Sequence, residues 1–341
     1  MRRFIALAAA LVLVAALPVA AGARPGAAGA RAADPAIAYW TAERIRNAIP
    51  RDFVRQTDGR FAPAAKPGGG GGGSKVTGAS WTGGDAIVKQ SGRVLFTLPS
   101  GDYICSASAV DDGVDTSYSV ILTAAHCVYD EVEDVFASNW VYYPSFDTSP
   151  TYDCLNATYG CWSARALFVH KGFADEEGFT AKATWHDFAF AVVGDGGHGG
   201  TQLDALGSYP INTGLTTAPS GGGYAFGYPA AGAKYSPGLD LTYCKGSIST
   251  DRFNSNKTWK IGCDMTGGAS GGPWVYGTTD PGQVSTEGTL FSLNSYRYSG
   301  IQAMHGPKFD ANTQAVLNAA LGATPDGTFD PRIGFDGIIV P

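Results

Sequence analysis

Residues 263–274 read CDMTGGASGGPW. Gly267, Gly268, Gly271 and Gly272 bracket Ser270. A serine in such a run is either an activated nucleophile or one more residue of a glycine-rich turn. The local sequence does not separate the two, because a serine hydroxyl is a poor nucleophile at neutral pH. It needs an imidazole to take its proton and an acid to orient that imidazole. The rest of the chain must supply both.

The chain has five histidines: His126, His170, His186, His198 and His305. His126 stands in ILTAAHCVYD (121–130), where an apolar strand runs into a turn of small residues. If Cys127 is bridged, that turn is pinned beside the imidazole. Catalysis is sensitive to errors on the order of 1 Å, so pinning suits a general base. Asp187 opens the alternating apolar run TWHDFAFAVVG (184–194). A carboxylate at the mouth of a buried strand is costly unless hydrogen-bonded, and an imidazole N–H would satisfy it. The plainer reading of Asp187 is a turn residue at a strand start. Around Ser270 the glycines let backbone N–H groups converge, and Gly268 with Ser270 is the candidate oxyanion hole.

The compartment fits. MRRFIALAAALVLVAALPVAAGA (1–23) has two arginines, an apolar run and small residues, in the order of a secretory signal peptide rather than an anchor. No later stretch is long and apolar enough to span a bilayer. The six cysteines then read as a disulfide framework. Of fifteen possible connectivities, pairing of sequence neighbours gives Cys105–Cys127, Cys154–Cys161 and Cys244–Cys263. There is no C-x-x-C and only Cys127 adjoins a histidine, so a metal site is a weak reading. A net charge of −6 offers no basic patch for nucleic acid.

Asp34-Pro35 is expected to cap and start a helix over AIAYWTAERIRNAI (36–49), ended by Pro50. KPGGGGGGSK (66–75) reads as a flexible linker. Residues 24–79 are therefore read as a pro-segment tied on by glycines, with a functionless stalk as the alternative. From residue 80 the chain turns to short alternating runs, read as strands at 93–98, 103–110, 118–123, 140–143, 188–193, 224–228, 239–244, 258–263 and 289–294. Many strands without alternating helices argue for an all-β barrel or sandwich. DANTQAVLNAALG (310–322) is the expected C-terminal helix, capped by Asp310 and ended by Gly322.

TAAHC, HDFAFAVV and GGASGGP, in the order His, Asp, Ser, together resemble the chymotrypsin-like (trypsin-like) serine endopeptidase superfamily. The match covers roughly residues 80–320. It implies two six-stranded antiparallel β-barrels with a C-terminal helix, meeting near 200–220 within a protease domain at 80–341. It also implies a His126, Asp187, Ser270 triad. FVHKGF (168–173) is similar to a surface loop of the family, and LNSYRY (293–298) to the strand that pairs with substrate, which would put Ser295 beside Asp187. Ala269 stands where animal digestive members carry an acid that pairs with a freed N-terminus. DMTGGASGG is closer in style to bacterial glutamyl-endopeptidase-like members. Asp264 matches the pocket-base acid that selects Lys or Arg, Thr266 the residue that helps hold an acidic side chain, and Arg297 could favour an acidic side chain or neutralise Asp264. The reading leans slightly to trypsin-like cleavage.

The expectation is a secreted, cofactor-free serine endopeptidase made as a zymogen, a monomer acting on peptides or proteins, with no nucleic-acid or membrane partner after signal cleavage. Two alternatives stand beside it. One is a secreted, non-catalytic binding protein on a protease-like barrel. The other is an α/β-hydrolase esterase using Ser270 and His305 with Asp280, which lacks the alternating β and α segments that fold requires. A subtilisin-like order would need an early acid such as Asp112, without a supporting motif. His186 is expected on the surface and His198 in a solvated loop. Asn156 and Asn256 match glycosylation acceptors. Asp111, Asp112 and Asp115 read as a polar turn more than a Ca²⁺ site.

Overall fold

The computed structural model describes residues 34–64, 77–113, 118–147, 150–278, 288–323 and 337–341. The signal-like leader, the glycine run, Asp115 and Asp280 lie outside these residues.

The alternating runs of the first half form a closed ring of antiparallel strands. Ser91–Leu98 pairs with Gly101–Val110, which pairs with Ser119–Thr123. The order continues through Ala189–Val193, Trp162–His170 and Ser138–Pro144, and the last returns to Ser91–Leu98. Closure removes the exposed sheet edges. Val94, Phe96, Leu122 and Phe190 are fully buried inside this half. Each such side chain contributes about 1.5–3 kcal/mol of burial. The sequence reading placed a surface loop at 168–173. Instead the strand Trp162–His170 runs on into a one-turn helix, Lys171–Ala174, whose Phe173 is buried. That strand is buried along nearly its whole length, and its second half, Ala166 to Val169, is a continuous apolar run without the alternation that would have marked it.

The second half is built from two facing sheets. One carries Gly223–Gly227, Thr242–Gly246, Pro273–Tyr276 and Thr289–Leu293. The other carries Thr258–Gly262, Ala303–Pro307 and Tyr296–Tyr298. Trp259, Ile261, Met265, Trp274, Phe291 and Met304 fill the space between them. The Cys244–Cys263 disulfide ties one sheet to the other. Cys105–Cys127 and Cys154–Cys161 complete the three bridges. The helix Ala311–Leu321 has Asp310 and Thr313 in a reciprocal capping box and Gly322 at its end.

The N-terminal region differs most from expectation. Residues 36–49 are not one helix. Asp34 caps Pro35–Tyr39 and Thr41 caps a second short helix, Ala42–Asn47. Nor is this region a separate body on a tether: Trp40, Ile45 and Phe53 are buried against the barrels, and Trp40 Nε1 donates to Asn139 O at 2.6 Å. Ile49–Pro50 pairs in parallel with Gly101–Val110 of the first half. Phe53–Arg55 pairs in parallel with Tyr296–Tyr298 of the second, and Phe61–Pro63 folds back on Phe53–Arg55. Residues 49–63 thus bridge the two halves at the edge strand Tyr296–Tyr298.

Candidate active site

His126 lies in a 3-10 turn, Ala125–Cys127, directly after the strand Ser119–Thr123. The bridge from Cys127 to Cys105 fixes that turn. The Asp187 carboxylate is fully buried and accepts three hydrogen bonds. The His126 backbone N–H reaches Oδ1 at 3.0 Å, His126 Nδ1 reaches Oδ2 at 2.8 Å, and the Ser295 hydroxyl donates to Oδ2 at 2.5 Å. With the acid facing Nδ1, that nitrogen carries the proton and Nε2 is left as the basic one. His126 Nε2 is buried and has no hydrogen-bond partner.

The Ser270 loop is pressed against the histidine turn. Ser106 N–H donates to Ser270 O at 2.7 Å, and Ser106 follows the bridged Cys105. Gly271 has φ +80°, and a Cβ there would meet Thr123 Oγ1 at 2.2 Å and the Ala124 amide at 2.9 Å. Only glycine fits this approach, two residues from His126 in the chain. Asn294, fully buried, holds the loop from the other side. Its amide nitrogen donates to Ala269 O and Phe226 O, its Oδ1 accepts from Trp274 Nε1, and its carbonyl accepts from Gly271 N–H. Sequence reading missed Asn294, since a lone Asn at a strand end carries no signal. The N–H groups of Ala269, Gly271 and Gly272 donate to Thr266 O, Asn294 O and Ala269 O respectively. Among the described residues, those of Gly268 and Ser270 have no backbone acceptor.

The specificity candidates fare differently. Asp264 already accepts from the Gly78 amide, the Tyr235 hydroxyl and Lys234 Nζ. Burial opposes its ionisation, yet these three donors hold its carboxyl below the usual range. Its charge is matched by Lys234, which argues against selection of a cationic side chain. Thr266 Oγ1 donates to Ala231 O and accepts from Ala231 N–H, a clamp between two loops. Arg297 is engaged with the Asp52 carboxylate of the N-terminal region.

That region covers the site. Phe53 lies edge-on to the His126 ring at 5.4 Å and stacks on Phe179 at 4.1 Å. Phe179 itself meets His126 edge-on at 5.4 Å. Arg51 donates to His126 O and Tyr129 O and pairs with Glu131 at 3.0 Å. Pro50 and Asp52 lie so close to Gly267 that a Cβ on that glycine would sit 2.9 Å from Pro50 and 3.1 Å from Asp52. None of these contacts was legible, because residues 24–79 read as a tethered segment with no defined docking face.

The other histidines stand apart. His305 is buried between Tyr296, stacked at 4.9 Å, and Tyr298, and lies 3.9 Å from Asp251. It belongs to a separate polar cluster, which removes the support for the esterase alternative. His186 is half-buried, not a surface residue, and stacks on His170 at 4.6 Å. It precedes the strand Ala189–Val193, so strand alternation does not govern its direction. His198 reaches the Ala157 carbonyl. Cys105, His126 and Cys127 are close enough to suggest metal ligands, but both sulfurs are in the disulfide. Among the described residues, no helix is long and apolar enough to cross a membrane.

Comparison with known proteins supplies relatives by structure. The protease Anisep from Arthrobacter nicotinovorans is 30% identical, with a TM-score of 0.58, over 72% of this chain and 100% of that one. The thermostable serine protease AL20 from an extremophilic microorganism is 33% identical, with a TM-score of 0.57, over 70% of this chain and 100% of its own. A Glu endopeptidase, solved in complex with MPD, shares the fold at 16% identity and a TM-score of 0.53, over 72% of this chain and 97% of its own. No family model and no curated protein sequence matches.

Proposed function

The chain belongs to the chymotrypsin-like serine protease superfamily, and from that premise we propose that it is a secreted serine endopeptidase made as a precursor. Ser270 attacks the scissile carbonyl as its hydroxyl proton passes to His126 Nε2. The Oγ–C bond forms, and the oxyanion is held by the N–H groups of Gly268 and Ser270. His126 then gives the proton to the leaving amine as the C–N bond breaks. Water, deprotonated by the same nitrogen, hydrolyses the acyl-enzyme and restores the serine. Asp187 orients His126 and stabilises the imidazolium, and Ser295 holds Asp187 in place.

The observation that carries this reading is the buried Asp187, which takes both the backbone and Nδ1 hydrogens of His126 and leaves Nε2 without a partner beside the Ser270 loop. Three disulfides and the signal-like leader support export. Residues 24–79 are the proposed pro-segment and 80–341 the protease domain. No cofactor takes part in these steps.

The test is Ser270→Ala. It is expected to abolish peptide hydrolysis and phosphonate labelling while leaving the folded circular-dichroism spectrum unchanged. Retained turnover by the folded variant rules the mechanism out. A non-catalytic binder, by contrast, leaves Ser270 unlabelled in the wild type.

A further inference from the structure

Arg297 makes an incomplete set of hydrogen bonds. It sits in the edge strand Tyr296–Tyr298, two residues after Ser295. Its Nη2 is bonded to Asp52 Oδ2, while its Nε is buried with no hydrogen-bond partner. Asp52 is itself buried, wedged between Gly267 on one side, three residues before Ser270, and Arg297 on the other. A carboxylate is therefore already seated beside the nucleophile loop, on a strand edge of the kind that extended peptides join.

We propose that Arg297 forms a subsite for an acidic side chain of the peptide substrate, and that the chain's own Asp52 occupies that subsite as a tethered stand-in. The inference rests on the endopeptidase reading and adds its substrate class. Three observations carry it. Asp264 is paired with Lys234 within residues 80–341, whereas Arg297 is paired with Asp52 of the N-terminal segment, so only the charge of Arg297 is freed when that segment lifts. The N-terminal segment reaches the subsite by pairing in parallel with Tyr296–Tyr298, and places Phe53 over His126. Finally, Asp52 satisfies Nη2 and leaves Nε empty. Guanidinium and carboxylate match best as a fork, two parallel hydrogen bonds from Nε and Nη2. A Glu side chain, one methylene longer than Asp, has the reach to accept both. The stand-in is thus an imperfect ligand, which a substrate can displace once the segment lifts.

The experiment uses the full chain in two parts. Asp52→Asn and Arg297→Gln each remove one side of the pair. Both are expected to speed labelling of Ser270 by a small neutral phosphonate at least about tenfold, the value of one charged hydrogen bond. In the Asp52→Asn background, paired peptides differing only in Glu or Gln at the cleavage-site residue are then compared. A kcat/KM ratio of at least about tenfold in favour of Glu is expected. Adding Arg297→Gln should bring the ratio close to one, and Arg297→Glu should turn it toward Lys. An unchanged labelling rate in both single variants overturns the stand-in. A Glu-to-Gln ratio near one, or a ratio indifferent to Arg297, overturns the subsite. If Ser270 is labelled in no variant and no peptide is cut, the endopeptidase reading itself fails, and this inference goes with it.

Discussion

Phe53→Ala isolates the hydrophobic part of the contact between the N-terminal segment and the catalytic groups. Phe53 is 7% exposed, stacked on Phe179 with an interplanar angle of 2°, and edge-on to His126. Burying a Phe side chain contributes about 1.5–3 kcal/mol, and an aromatic pair about 0.5–1.5 kcal/mol more. The substitution therefore removes about 3 kcal/mol from docking, and 1.4 kcal/mol corresponds to a factor of ten. The docked fraction should fall relative to the undocked by roughly a hundredfold. The assay is the second-order rate of Ser270 labelling by a neutral phosphonate in the full chain, with peptide turnover alongside. Both are expected to rise by up to that factor. Phe53 packs into the main hydrophobic core from the N-terminal segment, so near-ultraviolet circular dichroism checks that the barrels stay packed around their three disulfides. An unchanged labelling rate in a folded Phe53→Ala protein would falsify the claim that this ring shields His126.

Two further outcomes are expected. Asp187→Asn replaces an acceptor-only group with one whose amide nitrogen must face a donor, so the His126 tautomer is lost; kcat should fall by about 10⁴, and activity within tenfold of wild type would contradict the role given to Asp187. His305 tests the polar cluster beside it: burial pushes its imidazole down from 6.5 to about 4. Between those values the unfolded chain binds the extra proton, so stability falls as pH drops from about 6.5 towards 4, by up to about 3 kcal/mol. Denaturant unfolding across that range should show the slope, and His305→Gln should flatten it; an identical slope in the variant refutes the assignment.

Much of the site was legible because its chemistry is written in short local patterns. A strand followed by TAAHC, an acid opening an apolar strand, and glycines flanking a serine each describe one loop, and their order named the fold. Ser295 was reached through the same resemblance. The strand at 162–170 was missed because burial on both faces makes its second half, Ala166 to Val169, a continuous apolar run, leaving too short an alternating stretch to mark a strand. Asn294 was missed because its four partners come from Ala269, Phe226, Trp274 and Gly271, a convergence that exists only after folding.

The sequence by itself determined the β character, the residue types available for nucleophilic chemistry and the pairing of neighbouring cysteines, all set by short-range pattern. Tertiary structure alone decided which charges are spoken for. Asp264 and Arg297 looked equivalent as specificity candidates until folding gave one Lys234 and the other Asp52. Whether a buried charge is spent or available depends on partners brought from scores of residues away, and no local pattern encodes them.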